Sequence, residues 1–217
     1  MVILFDIDST VRLWEIPQGG LNSDINAENQ KFTGHSKKVA MINFHPTVAD
    51  IIASASFDNT VNVWNFVNGN SYAKIGIHDN PLSLEWNPNG SLLGVTTKEK
   101  MIHILDPRGN KIEMSTKGCE SNKTQKMGFI GDREYIFNTG VNKSNERQIK
   151  LFDLRNFAEP ICVVPVDSQT GIMMPYYDAD TGLIYVPGRG EGNIKFFDFS
   201  NGTLKFANEY RSNVQQK

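Results

Sequence analysis

A chain of 217 residues with 39% apolar content is long enough to bury a core and too apolar for a disordered polymer. Its net charge of −2 and isoelectric point near 6.1 exclude bulk electrostatic attraction to nucleic acid or to an anionic membrane surface. No stretch reaches the roughly 18 apolar residues of a membrane span, and Met1-Val2-Ile3-Leu4 meets Asp6 and Asp8 too soon for a signal peptide. Cys119 and Cys162 stand at no metal or redox spacing, which points to a reducing compartment and a cytoplasmic protein.

Taken in order, the chain predicts strands at Met1–Leu4, Thr10–Ile16 and Gln30–Thr33, interrupted by the polar insertion Pro17–Asn29. Gly34-His35 then opens an apolar run that continues to Asp58 and Trp64, the layout of one WD-type β-propeller repeat. The repeat recurs. Val11-Arg12-Leu13-Trp14, Val61-Asn62-Val63-Trp64, Ile102-His103-Ile104-Leu105, Ile149-Lys150-Leu151-Phe152 and Ile194-Lys195-Phe196-Phe197 end at 14, 64, 105, 152 and 197, spacings of 50, 41, 47 and 45. These are blade periods, and no helical period is sustained anywhere.

Four full blades follow from the alternation of short apolar runs with turn residues. The first has strands at Val39–Phe44, Ile51–Ser56, Thr60–Phe66 and Ser71–Gly76, and the second at Pro81–Trp86, Leu92–Thr97, Met101–Asp106 and Lys111–Ser115. The third has Gln125–Ile130, Tyr135–Thr139, Gln148–Leu154 and Ile161–Val166, and the fourth Ile172–Tyr177, Leu183–Val186, Asn193–Phe199 and Leu204–Tyr210. The expected architecture is therefore all-β, an incomplete WD-repeat propeller in one domain, with a partial blade over 1–33, blades at 34–76, 77–115, 116–166 and 167–210, and a tail at 211–217. Nothing in the sequence pairs the two ends, so the expectation is a truncated piece of a larger ring.

His35, Asp58, Trp64 and either Ser54 or Ser56 are expected to form a hydrogen-bonded chain from indole through hydroxyl and imidazole to carboxylate. The same residue types spell a hydrolase triad, but their placement follows the repeat and buries the serine, so bracing is the preferred reading over catalysis. Gly188-Arg189-Gly190-Glu191-Gly192 resembles a phosphate loop; a strand follows it rather than a helix, so a hairpin turn is predicted. His45 and His103 have no partner at metal-ligand spacing and are read as turn or strand-face residues, and Met173-Met174-Pro175-Tyr176-Tyr177 as core. No metal or cofactor is expected. From Lys98 to Arg155 there are 12 Lys and Arg against 8 Asp and Glu, a local excess of positive charge. Lys37, Lys38, Lys98, Lys100, Arg108 and Arg147, with Lys143 and Arg155, are the candidates for a patch that meets an acidic partner.

Several strings carry a more specific signal: Gly34-His35-Ser36-Lys37-Lys38-Val39, His45-Pro46-Thr47, Trp86-Asn87 with Gly90-Ser91-Leu92-Leu93, Asp106-Pro107-Arg108, Ser144-Asn145-Glu146-Arg147-Gln148, and Pro175-Tyr176-Tyr177-Asp178-Ala179-Asp180-Thr181. In order and over essentially the whole chain, these resemble the coronins, WD-repeat proteins that bind actin filaments. The resemblance implies a seven-bladed propeller, a place in the cytoplasm at the actin cytoskeleton or cell cortex, actin filaments and other cytoskeletal proteins as partners, and a non-enzymatic role in filament organisation and turnover. It departs from the family in lacking the basic first blade with its actin-contacting arginine, the closing blade and the coiled coil through which coronins oligomerise. The alternative is a general WD-repeat adaptor that presents a propeller face to a protein or peptide.

Overall fold

The computed structural model describes residues 2–5, 9–24, 28–120, 124–131 and 134–213. Regular structure among them is strand alone, arranged as five antiparallel sheets. A three-stranded sheet holds β1 (Val2–Phe5), β2 (Val11–Trp14) and β3 (Gln30–Phe32). Blade one holds β4 (Val39–Phe44), β5 (Ile51–Ser56), β6 (Thr60–Asn65) and β7 (Ser71–Gly76); blade two holds β8 (Pro81–Trp86), β9 (Leu93–Thr97), β10 (Met101–Asp106) and β11 (Lys111–Lys117). Blade three holds β12 (Lys126–Ile130), β13 (Tyr135–Val141), β14 (Arg147–Asp153) and β15 (Cys162–Asp167); blade four holds β16 (Tyr176–Asp178), β17 (Leu183–Pro187), β18 (Asn193–Ser200) and β19 (Thr203–Arg211). In each blade the strands pair in chain order, so every blade is a meander.

The turns explain why the chain reverses where it does. Asn59, Lys100 and Asn145 hold positive φ values of 62°, 70° and 62° at equivalent places between the second and third strands of blades one to three, and Gly190 does so in blade four. Asparagine tolerates this left-handed state through local hydrogen bonds of its side chain, whereas Lys100 occupies it at a cost of about 1 kcal/mol.

The cores lie between blades rather than within them, because successive side chains on a strand point to opposite faces. Ile52 and Trp64 turn one way and pack with Val11, Leu13, Phe32 and Val39; Ala53, Ala55, Val61 and Val63 turn the other way and pack with Leu84, Trp86, Leu93 and Val95. The same division gives a cluster around Ile104, Met127, Phe129 and Phe152 and another around Phe137, Leu151, Ile184 and Phe197. A fully buried Phe152 or Ile104 contributes roughly 1.5–3 kcal/mol in transfer from water.

The innermost strands β4, β8, β12 and β16 stand side by side, and β1 lies against β4, the place that β5 takes against β8. Therefore β1 is equivalent to the second strand of a full blade. Among the described residues no strand pairing joins the three-stranded sheet to blade four. On the far side of blade four, the cross-strand row Tyr176, Tyr185 and Phe196 carries no further sheet among the described residues.

Three expectations need correction. The strand expected at Ile172–Tyr177 is reduced to Tyr176–Asp178, because Pro175 has no N–H to donate; only an isolated bridge, Met173 to Gly188, precedes it. Met174 and Tyr176, read as core, are 53% and 67% exposed, while Met173 is buried. The strand expected at Thr10–Ile16 stops at Trp14, three residues before Pro17. Met1 of the first expected strand and residues 214–217 of the expected tail lie outside the described residues.

Candidate functional site

Because the blades are meanders, their turns emerge alternately on two faces of the molecule. The face carrying His35 also carries the β5–β6, β9–β10 and β13–β14 turns and the links between blades; the face carrying His45 carries the β4–β5, β8–β9 and β10–β11 turns.

On the first face, beside blade one, Trp64 Nε1 donates to Ser54 Oγ at 2.8 Å, and Ser54 Oγ lies 2.8 Å from His35 Nε2. His35 Nδ1 lies 3.1 Å from Asp58 Oδ2. A carboxylate only accepts, so Nδ1 carries the imidazole proton and Nε2 accepts a hydrogen bond from the Ser54 hydroxyl. Asp58 accepts further bonds from the Ser36 amide at 2.8 Å, the Thr60 amide at 3.0 Å and the Thr60 hydroxyl at 2.7 Å. Burial holds His35 below its ordinary value of 6.5, against the pull of Asp58. Burial opposes ionisation of Asp58, but the donors from Thr60, Ser36 and His35 outweigh it and hold its carboxyl below the usual 3.8. Gly34 must be glycine here: a Cβ would stand 2.7 Å from Cη2 of the Trp64 indole.

This geometry reproduces the relay of a hydrolase triad and at the same time disables it. Ser54 is wholly buried, and an indole N–H occupies the face of its oxygen that a carbonyl carbon would approach. Ser56, the other serine considered, has a different task. Its hydroxyl meets the carbonyls of Lys37 and Lys38 at 2.8 and 2.9 Å and accepts from the Asp58 amide, pinning the lysine loop to β5.

A second arrangement on this face joins blades three and four. Arg147, expected as a surface cation, has a side chain only 3% exposed. Its Nε and Nη2 donate to the two oxygens of Asp167 at 2.6 Å each, its Nη1 and Nη2 to Glu191 at 2.6 and 2.9 Å, and Nη1 to the Gly171 carbonyl at 3.1 Å. Lys195 also pairs with Asp167. Burial resists the charge on Asp167, yet Arg147 and Lys195 bring its carboxyl down to about 2. The Gly188–Gly192 segment is a hairpin turn between β17 and β18, closed by the Glu191 amide on the Gly188 carbonyl at 3.1 Å, and it carries Glu191 back onto Arg147. Arg147 is therefore withdrawn from the candidate contact surface: its donors are spent inside the protein.

Lysine amines repeat a simpler tie. Lys74 reaches the Gly34 carbonyl at 2.7 Å, Lys150 the Gly118 carbonyl at 2.8 Å and Lys195 the Val166 carbonyl at 3.3 Å, each across a junction between sheets. At the junction of blades one and two the equivalent residue is His103. It is buried, bonds Ser115 through Nδ1 at 2.7 Å and leaves Nε2 without a partner among the described residues. His45 crosses that junction on the opposite face: Nδ1 accepts from the Val48 amide at 3.0 Å, and Nε2 donates to the Gly90 carbonyl at 2.9 Å.

The other expected contact residues divide between the faces. Lys37 and Lys38 are exposed on the loop beside Ser56, and Lys98 and Lys100 sit in the β9–β10 turn of the same face, Lys98 exposed and Lys100 half-buried. Arg108 lies in the β10–β11 turn of the opposite face and pairs with Asp106 at 3.3 Å, so it cannot share a patch with those lysines. Arg155 likewise pairs with Asp153, and Lys143 with Glu120. Burial pushes the Cys119 thiol up to about 11, which removes it from nucleophilic chemistry at neutral pH. No cluster of three metal-ligating side chains occurs among the described residues.

Comparison with known proteins supplies the remaining findings. The model for "WD domain, G-beta repeat" matches residues 27–65, the stretch that contains His35, Asp58 and Trp64. Coronin-2A of Homo sapiens is 36% identical over 97% of this chain and 41% of its own length. The coronin-like protein crn1 of Schizosaccharomyces pombe is 30% identical over 94% of this chain and 35% of its own length. The chain thus spans about two fifths of the curated relatives it matches. The crystal structure of the WD40 domain from Toxoplasma gondii coronin superposes with a TM-score of 0.89 at 32% identity, over 98% of this chain and 56% of that one. A chain of the mitotic checkpoint complex superposes with a TM-score of 0.76 at 11% identity, a likeness of fold alone.

Proposed function

Since this chain is a WD-repeat propeller protein of the coronin type, we propose that it acts as a non-enzymatic scaffold that binds actin filaments, at the actin cytoskeleton, and so governs filament organisation and turnover. The observation that carries this reading is the pairing of a rigid base with free charge. Ser56 clamps the backbone of Lys37 and Lys38, while neither amine has an ion-pair partner among the described residues. Preordered, unspent cations lose little entropy on meeting an acidic surface. Lys98 and Lys100 on the same face extend the surface, and filaments and other cytoskeletal proteins are the partners proposed for it. Against enzymatic action stands the buried Ser54, whose oxygen no substrate reaches.

Co-sedimentation with actin filaments over a rising salt series tests this. The expected result is pelleting at low salt that weakens as exposed charges are screened, with a further loss of about tenfold in affinity for the double variant Lys37→Glu, Lys38→Glu. Absence of pelleting at low salt, or an unchanged double variant, would overturn it.

A further inference from the structure

Between blades one and two, on the face opposite the lysines, lies a cleft of about 310 Å³. Both blades are four-stranded and each packs between two other sheets, so complete elements bound the cleft on either side. The buried Val63 and Trp86 and the half-buried Ile51 line its inner part, and the exposed Tyr72 and Arg108, with Pro107, line its outer part. Two local devices bring Tyr72 and Arg108 together. In the pairing of β6 with β7 the register jumps between Val63 and Trp64, which leaves Tyr72 as the extra residue of a bulge. A bulge re-aims its side chain, and here it sets an aromatic ring on the side where Ala73 meets blade two. The same bulge recurs in blades two and four, but there the extra residues are Glu113 and Ala207. The second device is the β10–β11 turn. The Asn110 amide closes it on the Pro107 carbonyl at 3.3 Å, and the Asn110 side-chain oxygen accepts from the Lys74 amide of β7 at 2.9 Å. That bond seats the turn bearing Pro107 and Arg108 against β7, two residues along from Tyr72.

No acidic side chain lines the cleft, and Arg108 supplies its permanent charge. Asp106 takes the Arg108 amide at 3.0 Å and Nε at 3.3 Å and is also bonded by the Gly109 amide, so the backbone of the turn answers part of its charge. The two outer nitrogens of the guanidinium, Nη1 and Nη2, have no hydrogen-bond or ion-pair partner among the described residues. Those nitrogens form the end of the fork, the geometry that matches the two oxygens of a carboxylate. His45, which also lines the cleft, is spent on the Gly90 carbonyl and the Val48 amide and does not compete.

We propose that this cleft binds a linear segment of a partner protein in which an aspartate or glutamate stands beside an aromatic or branched apolar residue. The carboxylate meets the Arg108 fork, and the apolar side chain packs on Val63 and Trp86 beside the Tyr72 ring. One cleft holds both anchors, and nothing in it repels the acidic residue. The surface of Lys37 and Lys38 lies on the other face, so a segment seated here leaves those lysines open.

A phage-displayed library of random dodecapeptides, selected on the full chain and counter-selected on the double variant Tyr72→Ala, Arg108→Glu, tests the proposal. The expected outcome is a set of sequences with Asp or Glu within two residues of an aromatic or branched apolar residue. A labelled peptide from that set should bind about tenfold more weakly to Arg108→Glu and to Tyr72→Ala, lose affinity as salt rises, and bind unchanged to Lys37→Glu, Lys38→Glu. Both side chains are exposed, so the variants should keep the fold, and far-ultraviolet circular dichroism checks this. A basic or uncharged consensus, undiminished binding to either cleft variant, loss of binding to the lysine variant, or no enrichment over the unselected library would overturn it.

Discussion

The junction beside Trp64 and the junction beside Arg147 solve one problem with opposite chemistry. Both tie neighbouring sheets on the same face, and both place polar groups where water is scarce. The first uses a neutral relay, indole to hydroxyl to imidazole, with a single charge at its end on Asp58. The second balances two cations, Arg147 and Lys195, against two carboxylates, Asp167 and Glu191. A neutral relay costs little to desolvate and gains modestly. A buried ion cluster costs several kcal/mol per ion to desolvate and is tolerated only because each charge meets its opposite, so it is far less forgiving of losing one member.

The largest expected effect follows directly. Arg147→Ala leaves Asp167 and Glu191 facing each other with Lys195 as their remaining cation and should destabilise the chain by about 3–5 kcal/mol, read from urea unfolding. A loss under about 1 kcal/mol would place the two junctions on an equal footing and break the contrast. Next comes Ser54→Ala, which strands the Trp64 indole N–H and His35 Nε2 and should cost about 1–3 kcal/mol.

Acid should then separate the junctions by pH window. His35 is held below 6.5 in the folded chain, so the unfolded chain takes up the proton first; stability is intact above pH 6.5 and declines as pH falls below it. Asp167 is held at about 2 against an ordinary 3.8, so the ion cluster keeps its contribution above pH 3.8 and loses it as pH falls toward about 2. Burial also holds His103 below 6.5, so thermal melts from pH 8 to 5 should show a decline that His35→Gln reduces, that His35→Gln with His103→Gln flattens, and that Arg147→Met leaves in place. If His35→Gln leaves the slope wholly unchanged, the decline belongs to His103 and the relay is not the acid-sensitive junction. The smallest effect is expected for Ser56→Ala, about 1 kcal/mol, because its hydroxyl meets backbone carbonyls beside an exposed loop where water can replace it. That variant should also weaken filament binding if the clamped loop is the contact surface.

Much of this was legible beforehand. The strand-end positions at 14, 64, 105, 152 and 197 mark the five sheets because each blade needs the same alternation to pack on both neighbours. His35, Asp58 and Trp64 stood at repeat positions that bring them together. The choice between Ser54 and Ser56 was not legible, since both point to the same side of β5. Trp64 pairs with Ile52, and its indole reaches one step diagonally along the strand to Ser54 but not two steps to Ser56. Thr60, which bonds Asp58 twice, went unnoticed although a hydroxyl two residues beyond a turn aspartate is a local signal. A second signal lay in the polar residue set in the third strand of each sheet: Arg12, Asn62, His103, Lys150 and Lys195 interrupt apolar runs, and three of the ties described above use that residue or its cross-strand neighbour Lys74.

Taken alone, the sequence determined what local periodicity can carry: an all-β chain, its repeat, its turns and the members of the Trp64 relay. Only the tertiary structure decided that Arg147 is buried while Lys37 is free, and that Arg108 faces away from Lys98. The reason is physical. Whether a charge is solvated or spent depends on which groups close over it, and for Arg147 those groups come from positions 20, 24 and 44 residues farther along the chain. No pattern of period two extends that far.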